Sequence, residues 1–270
     1  MAINDITLAG GMLTDLTALQ QVATLQSRTT ERLSTGKKVN SAVDDPSAYF
    51  AAQNEMNRAN DLSARKDQMG EAIQTVQAGL QGIDGISNLI QQMQGLAASA
   101  QSADTTDRAS LAAQFDSLRT QIDQLAGDAS YKGTNLLKSG SLAVAFNEDA
   151  SSNLTITGFD ATTTGLNIAA AANNWATDGD ITTSVNQLNT ALSTLRTNAQ
   201  TLSSNNGVVT ARQDFTTNMI NTLTTGANNL TAADVNQEGA NMLALQTRQQ
   251  LGIVALQLSS QAQQSIMRLF

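Results

Sequence analysis

The adjacent carboxylates Asp44 and Asp45 are the side chains of this chain best suited by type to general acid–base chemistry. Neighbouring residues on a helix point in different directions, so a helix would hold the two carboxylates apart. Pro46, the only proline of the chain, follows them directly. Because proline fits the first position of a helix and aspartate the position before it, Asp45 is better explained as a helix cap than as a catalytic group.

Two residue types that carry much of enzyme chemistry are missing. The chain of 270 residues contains no histidine and no cysteine, which excludes histidine-based proton transfer, cysteine nucleophiles, zinc ribbons and iron–sulfur ligation. Disulfides are impossible for the same reason. No glycine-rich phosphate loop follows a predicted strand. We therefore expect no enzyme and no catalytic, cofactor-binding or metal-binding site.

Charge and hydropathy narrow the possible partners further. The formal net charge of -8 argues against nucleic acid, since binding to phosphates needs clustered Lys and Arg. No apolar run reaches membrane-spanning length, so we expect no membrane insertion. The first basic residue is Arg28, so the beginning of the chain lacks the basic region of a cleaved signal peptide.

Both ends of the chain carry apolar residues at helical spacing and little charge. The N-terminal stripe comprises Leu13, Leu16, Leu19, Val22, Leu25 and Leu33. The C-terminal stripe comprises Val235, Met242, Leu245, Leu251, Leu256, Leu258 and Ile266, and the chain ends on Phe270. Such stripes must be buried against each other or against other copies of the chain. The pattern predicts a protein that assembles, whose ends are disordered or only partly helical in the isolated chain.

The interior shows a sustained seven-residue repeat that predicts a long helix from Pro46 to about Ala100. One stripe consists of Leu62, Met69, Val76, Ile83, Ile90 and Ala97. A second stripe, three residues later, consists of Arg65, Ala72, Gly79, Ile86, Met93 and Ala100. The two stripes interleave as the a and d positions of a heptad, the pattern of packed helices. The glycines at 70, 79, 82, 85 and 95 are predicted points of close approach between helices.

The rest of the interior alternates between helix and a short β segment. A break at 102–107 precedes a second helix that stops near Gly127. Alternating apolar residues from Leu142 to Phe146 and from Leu154 to Ile156 predict a β-hairpin near 140–160. Helical spacing returns at Ile181, with an interruption at 203–207, and the last helix begins near Ala232. The Ser/Thr-rich stretch 162–164 is expected to be a solvated loop. The predicted fold is mainly α, a long antiparallel helical bundle or coiled coil with one small hairpin.

Three segments carry a resemblance to a known family. The segment 31–45, from Glu31 to Asp45, resembles the N-terminal signature of bacterial flagellins, in which an Arg-Leu-Ser-x-Gly turn leads to Asn-Ser-Ala-x-Asp-Asp. The segment 131–137 resembles the family segment before the hairpin. The end of the chain, from Gln246 to Phe270, is similar to flagellin C-termini of the α-proteobacterial type. The likeness leaves about 150–179 unassigned.

The resemblance implies an architecture in two parts. Residues 1–43 and 230–270 would form an inner terminal coiled coil that serves assembly, and residues 44–229 a helical second shell that carries the hairpin. Large outer domains are not expected, because the span from Leu137 to Ile181 is short. The assembly residues implied are Leu13, Leu16, Leu25, Leu33, Val235, Met242, Leu245, Leu256, Ile266 and Phe270. The turn that links the two parts would comprise Arg32, Gly36, Asn40, Asp44 and Asp45, with Gly36 at positive φ.

The function implied by the resemblance is that of a structural subunit that polymerises into the bacterial flagellar filament for swimming motility. Such proteins leave the cell unfolded through the flagellar type III apparatus without a cleaved signal peptide, and they end in the extracellular filament. The implied partners are other copies of the chain, an export chaperone, the hook-junction proteins and the cap protein.

One segment departs from the family pattern. Flagellins that Toll-like receptor 5 recognises carry Arg-x-Arg-Glu-Leu on the long helix, whereas the aligned residues here are Gln92, Met93, Gln94, Gly95 and Leu96. Both guanidinium groups and the carboxylate are replaced. The departure predicts weak or no binding to this receptor.

Two alternatives share the flagellin-like ends. A hook–filament junction protein would have the same ends, usually with a larger middle region and in few copies. A surface ligand-binding protein built on a flagellin scaffold would use the segment 150–179, whose only aromatic residues are Phe159 and Trp175.

Overall fold

The computed structural model describes residues 2–267, and the side chains of residues 11–262, 264 and 265. The elements in chain order are α1 (Ala2–Thr35), α2 (Pro46–Gln101), α3 (Thr105–Asp128), β1 (Ser141–Ala145), β2 (Asn153–Thr157), a 3₁₀ turn (Ala172–Trp175), α4 (Asp178–Thr231) and α5 (Val235–Met267). The predicted fold class, mainly helical with one small hairpin, is confirmed.

The chain divides into two compact units. The terminal unit comprises residues 1–57 and 223–270, and the interior unit comprises residues 58–222, so α2 and α4 contribute to both. The sequence predicts a different division, into residues 1–43 with 230–270 and residues 44–229. That division refers to the roles of the parts in a polymer, and it stays a prediction.

The interior unit has a continuous apolar core formed by the heptad face of α2. Met69, Val76, Ile86, Ile90 and Met93 are completely buried there. Residues seven apart return to the same side of a helix, so the repeat keeps one face of α2 on the core from Met69 to Ala100. The heptad prediction for α2 is confirmed.

The glycines of α2 do not all have the role that the sequence predicts. A β-carbon placed on Gly82 would lie 2.8 Å from Ala129 Cβ, and one on Gly85 would lie 2.8 Å from Leu125 Cδ2. Close approach therefore explains these two glycines. The prediction is wrong for Gly95, because nothing lies within 4 Å of a β-carbon built there.

The hairpin and the loop after it cover one side of the core. Strand β1 pairs with β2 in antiparallel register, with Leu142 opposite Ile156 and Val144 opposite Leu154. The predicted hairpin is thus confirmed. The buried ring of Trp175 packs edge-on against Phe115, with ring centroids 4.9 Å apart, and its indole N–H donates to Ser184 Oγ at 3.0 Å.

The prediction of a solvated loop at 162–164 is wrong for its central residue. Thr163 is only 3 % exposed. Its backbone N–H donates to Asp123 Oδ1 at 2.7 Å, and its hydroxyl group contacts both oxygens of that carboxylate. A buried polar group needs such partners, and α3 supplies them from outside the loop, where local composition gives no signal.

Helix α4 runs without a break through 203–207, so the interruption predicted there is wrong. Leu195, Leu202 and Val209 are buried at intervals of seven residues, and this face continues across the segment. Gly207 lies on an open side, with nothing within 4 Å of a β-carbon built there. Packing of the apolar face outweighs the low helix propensity of a few exposed polar residues.

Both ends are helical throughout the residues that the structure describes, contrary to the expectation of partial disorder. The physical reason is that α1 and α5 pack on each other and each supports the other's helical conformation. Within residues 2–267, no helix is long and apolar enough to span a membrane.

Candidate assembly interface

One side of α1 faces α5 in a seam that follows a strict heptad. Its less exposed residues alternate in steps of three and four: Met12, Asp15, Leu19, Val22, Gln26, Thr29 and Leu33. This spacing keeps a single narrow stripe on the partner helix. Only four of the seven residues are apolar, which is unusual for a packed seam.

Helix α5 contributes a matching seam with the same spacing. The residues are Glu238, Met242, Leu245, Gln249, Gly252, Leu256 and Ser259. Leu245 is 8 % exposed and is the most deeply buried aliphatic residue of this stripe. Only three of these seven residues, Met242, Leu245 and Leu256, have large apolar side chains. The contact between the two helices therefore buries little apolar surface.

Two contacts fix α1 and α5 as an antiparallel pair. Arg32 Nη1 lies 2.9 Å from Glu238 Oε1, and the Glu238 side chain is only 10 % exposed. Leu19 packs over Gly252, where a β-carbon would lie 3.0 Å from Leu19 Cδ2. The first contact joins the end of α1 to the start of α5, and the second lies further along both helices in opposite chain directions.

Most of the leucine, isoleucine and valine side chains that the structure describes on the two helices lie outside this seam. The exposed ones are Leu13, Leu16, Leu25, Val235, Leu243, Leu251, Ile253, Val254 and Leu258, with exposed fractions from 46 % to 67 %. On α5, Leu243, Leu251, Val254 and Leu258 occupy the side opposite the seam. A helix whose outer side is more apolar than its inner side has a second surface to bury.

The predicted assembly residues therefore fall into two groups. Leu33, Met242, Leu245 and Leu256 lie in the seam between α1 and α5. The remaining described ones, Leu13, Leu16, Leu25 and Val235, are exposed. The side chain of Ile266 and the whole of Phe270 lie outside the described residues.

The predicted linking turn between α1 and α2 is held to the connection between α4 and α5. Gly36 has a φ of 67°, the left-handed conformation that favours glycine. Lys38 donates its backbone N–H to the Thr231 carbonyl at 2.8 Å, and Ala233 donates to the Gly36 carbonyl at 2.9 Å. Backbone hydrogen bonds thus tie the two connections together inside the terminal unit.

The two adjacent carboxylates stabilise the turn in different ways. Asp44 Oδ2 accepts hydrogen bonds from the backbone N–H groups of Ser41 and Asn40, at 3.0 and 3.1 Å, and Arg28 lies 3.8 Å from its other oxygen. These hydrogen bonds, with Ser41 first, lower the pKa of Asp44 below its ordinary value. Asp45 Oδ1 accepts from the Ala48 N–H at 3.0 Å, which is the geometry of a helix cap.

The positions aligned with the receptor motif lie on α2 in the interior unit. Gln92 and Gly95 are exposed, whereas Leu96 packs against the core. Gln94 already donates its side-chain N–H to Asn189 Oδ1 at 2.9 Å. No charged group stands at any of these positions.

Sequence reasoning missed the residue that caps α5 and two acidic residues of the seam. Asp234 Oδ1 accepts from the N–H groups of Asn236 and Gln237 and caps α5. Asp15 and Glu238 lie in the seam itself. A heptad register continued through polar as well as apolar positions would have found Asp15 and Glu238, but a search for apolar stripes does not.

Comparison with known proteins decides the family. The model of the bacterial flagellin N-terminal helical region matches residues 7–142. Flagellins FljM and FljK of Caulobacter vibrioides are 31% and 30% identical to this chain over 274 and 284 aligned residues. Each alignment covers 100% of this chain and 100% of the relative. A flagellin of Brucella melitensis is 31% identical over 94% of this chain and 96% of its own. The chain belongs to the flagellin family. It is a structural subunit of the bacterial flagellar filament, of the α-proteobacterial type.

Flagellins are structural proteins that form the extracellular filament, so the resemblance and the function predicted from it are confirmed. Among solved structures, the crystal structure of Bacillus cereus flagellin aligns with a TM-score of 0.49 at 20% identity, covering 55% of this chain and 88% of that one.

Proposed function

We propose that this flagellin polymerises through its terminal unit, and that neighbouring copies bury the aliphatic side chains that point away from the α1–α5 seam. The observation that carries the proposal is that α1 and α5 place polar side chains between them and leave large apolar side chains exposed. Polar residues such as Asp15, Gln26 and Gln249 are in the seam, while Leu251 and Leu258 are 64 % and 65 % exposed.

The energetic argument concerns what the second surface gains on burial. Each fully buried leucine is stabilising by about 1.5–3 kcal/mol relative to an exposed one. Within an isolated chain this gain is not realised for the outer residues of α5. Contacts with other copies would realise it at every subunit of a filament, which favours a polymer over a dissociated chain.

Residues 1–43 and 230–270 are proposed to form the inner coiled coil, and residues 44–229 the surrounding shell. The turn from Gly36 to Asp45 would join the two parts. Its hydrogen bonds to Thr231 and Ala233 support this role, because they hold the entry of α2 beside the exit of α4.

The test replaces outer leucines without weakening the helix. Leu251→Gln with Leu258→Gln keeps a good helix former at both positions. We expect the double variant to remain a folded monomer by circular dichroism and to form no filaments from seeds in electron micrographs. Removing the residues from Ile266 onward is expected to have the same effect.

A matched control uses exposed apolar residues of the interior unit. Val208→Gln with Phe215→Gln removes two side chains that are 44 % and 55 % exposed on α4. Filaments should form from this control. If both double variants polymerise like the wild type, or both fail equally, the outer face of α5 has no special role.

The proposal includes the export route and the partners of the family. We infer that the chain is exported through the type III apparatus without a cleaved signal peptide and meets an export chaperone, hook-junction proteins and a cap protein. The resemblance of both termini to flagellin supports these partners. Mass analysis of the N-terminus of sheared filaments tests the absence of cleavage, since a processed protein would lack Met1 and the residues after it.

Recognition by Toll-like receptor 5 is proposed to be weak or absent. A charge-assisted hydrogen bond contributes about 1.5–3 kcal/mol, and the aligned segment offers no charge to form one. Gly95 provides no side chain, and the Gln94 amide is already bonded to Asn189. A reporter-cell assay with disassembled protein should show little response, whereas potency equal to a recognised flagellin would overturn the proposal.

A further inference from the structure

Two opposite charges of the terminal helices lack an ion-pair partner among the residues that the structure describes. Arg32 pairs with Glu238, and Arg28 lies 3.8 Å from Asp44. Asp15 lies half-buried in the seam, and Arg248 is the only charged residue of α5 after Glu238. Within the described part of the chain, neither Asp15 nor Arg248 has an oppositely charged group within 4 Å.

The same two residues line one open cavity between α1 and α5. Its volume is about 340 Å³, and its other walls include Leu19, Val22, Leu25 and Gly252. The cavity is therefore mainly apolar, with one negative and one positive group at its edge. An apolar side chain of another molecule could fill it, and its filling would remove water from both charges.

The two charges cannot readily pair within one chain. Leu19 packs on Gly252, and Asp15 and Arg248 each precede these residues by four positions. In an antiparallel pair those steps lead in opposite directions, so the two positions lie about 12 Å apart along the helices at 1.5 Å per residue. Side chains on a helix also lean toward their own N-terminus, which turns Asp15 and Arg248 away from each other.

We propose that Asp15 of one copy forms an ion pair with Arg248 of a second copy when the terminal helices assemble. The inference rests on the proposed role of the terminal unit in polymerisation. Burying either charge alone is strongly unfavourable, and pairing the two across the contact relieves both. Charge complementarity of this kind also selects the register in which copies meet.

The test uses charge reversal in the full chain. Asp15→Arg and Arg248→Asp should each raise the critical concentration for seeded polymerisation at least about tenfold, because each places like charges at the contact. The double variant should recover. An equimolar mixture of the two single variants should recover as well, since each then supplies the charge that the other lacks.

Glu31→Arg is the matched control, because it makes the same charge change at an exposed position of α1. It should polymerise like the wild type. Recovery in the double variant but not in the mixture would show a pair within one chain and overturn the inference. Normal assembly of either single variant would also overturn the inference. Failure of both the double variant and the mixture to recover would overturn it as well. Failure of the proposed function is separate: it would appear as normal assembly of the Leu251→Gln, Leu258→Gln variant.

Discussion

The interior unit and the terminal unit are built from the same heptad spacing, yet they differ in where the large apolar side chains lie. In the interior unit, Met69, Ile86, Phe115 and Trp175 are completely buried. In the terminal unit, the described aliphatic residues of α1 and α5 are mostly exposed, and Leu245 at 8 % is the deepest. A heptad pattern thus predicts a helix with a partner, but not whether the partner belongs to the same chain.

The difference predicts two kinds of stability. The interior unit meets its own packing requirements, so its free energy of unfolding should be a property of the monomer. Stability of the terminal unit should depend on the concentration of other copies, since ligands and partners that bind only the folded form stabilise it by mass action. The predictions that follow test this separation.

The largest effect is expected from a cavity in the interior core. Phe115→Ala removes a fully buried ring and its edge contact with Trp175, which should lower the free energy of unfolding of the monomer by about 3–5 kcal/mol. Urea denaturation of the monomer, followed by tryptophan fluorescence, measures this, because Trp175 is the only tryptophan.

Leu16→Ala is the counterpart in the terminal unit. Leu16 is 49 % exposed, so its truncation should change the unfolding of the monomer by less than about 0.5 kcal/mol while raising the critical concentration for assembly. Equal destabilisation of the monomer by both variants would show that the two units are not distinct in this sense.

Much of the interior could be predicted from the sequence, because its periodicity and its burial coincide. The stripes that include Met69 and Ile86 lie in the core, and the hairpin pairs Leu142 with Ile156. The errors have a common cause, which is a tertiary contact that local composition does not show. Thr163 is buried by the distant Asp123, and the break expected near Gly207 is absent because α4 keeps one packed face.

The terminal unit could be predicted only in part. The stripe through Leu13, Leu16 and Leu25 indicates a helix correctly, but the seam runs through Asp15 and Gln26 instead. Apolar residues alone suggest a different register, because Leu13, Leu16 and Leu25 are exposed whereas Leu19, Val22 and Leu33 of the same stripe lie in the seam. The assembly role of the exposed surface was predicted from the resemblance to flagellins, because the composition of a single chain does not show which surface contacts other copies.

A glycine comparison gives the next largest effect. A β-carbon on Gly82 of the interior unit would lie 2.5 Å from Leu137 Cδ1 and 2.8 Å from Ala129 Cβ, so Gly82→Ala should destabilise the monomer by about 1–2 kcal/mol. Nothing lies within 4 Å of a β-carbon on Gly239 of α5. Gly239→Ala should therefore gain about 0.5–1 kcal/mol of helix stability. Thermal unfolding checks both signs, and a loss of stability in Gly239→Ala would contradict open packing around α5.

Loss of a helix cap should have a different effect in each unit: global unfolding in the interior unit and local unfolding in the terminal unit. Asp104 caps α3 in the interior unit, and Asp45 caps α2 in the terminal unit. Each change to alanine should lower stability by about 1 kcal/mol. Asp104→Ala should lower the midpoint of global unfolding, whereas Asp45→Ala should raise local amide exchange at Ala48 and Tyr49. A fall in the global midpoint for Asp45→Ala as large as for Asp104→Ala would contradict the separation.

The smallest effect concerns the pH dependence of the linking turn. The N–H groups of Ser41 and Asn40 lower the pKa of Asp44 below its ordinary value of 3.8. A lowered pKa in the folded chain means that the ionised carboxylate stabilises the turn above the ordinary value, and that this contribution is lost as the pH falls through the folded value. Amide exchange at Ser41 should therefore stay slow at neutral pH and rise, beyond the intrinsic trend, only below about pH 4. Asp44→Asn keeps an acceptor that does not titrate, so its exchange should lack this step. A step of equal size in both proteins would assign the pH dependence to another group.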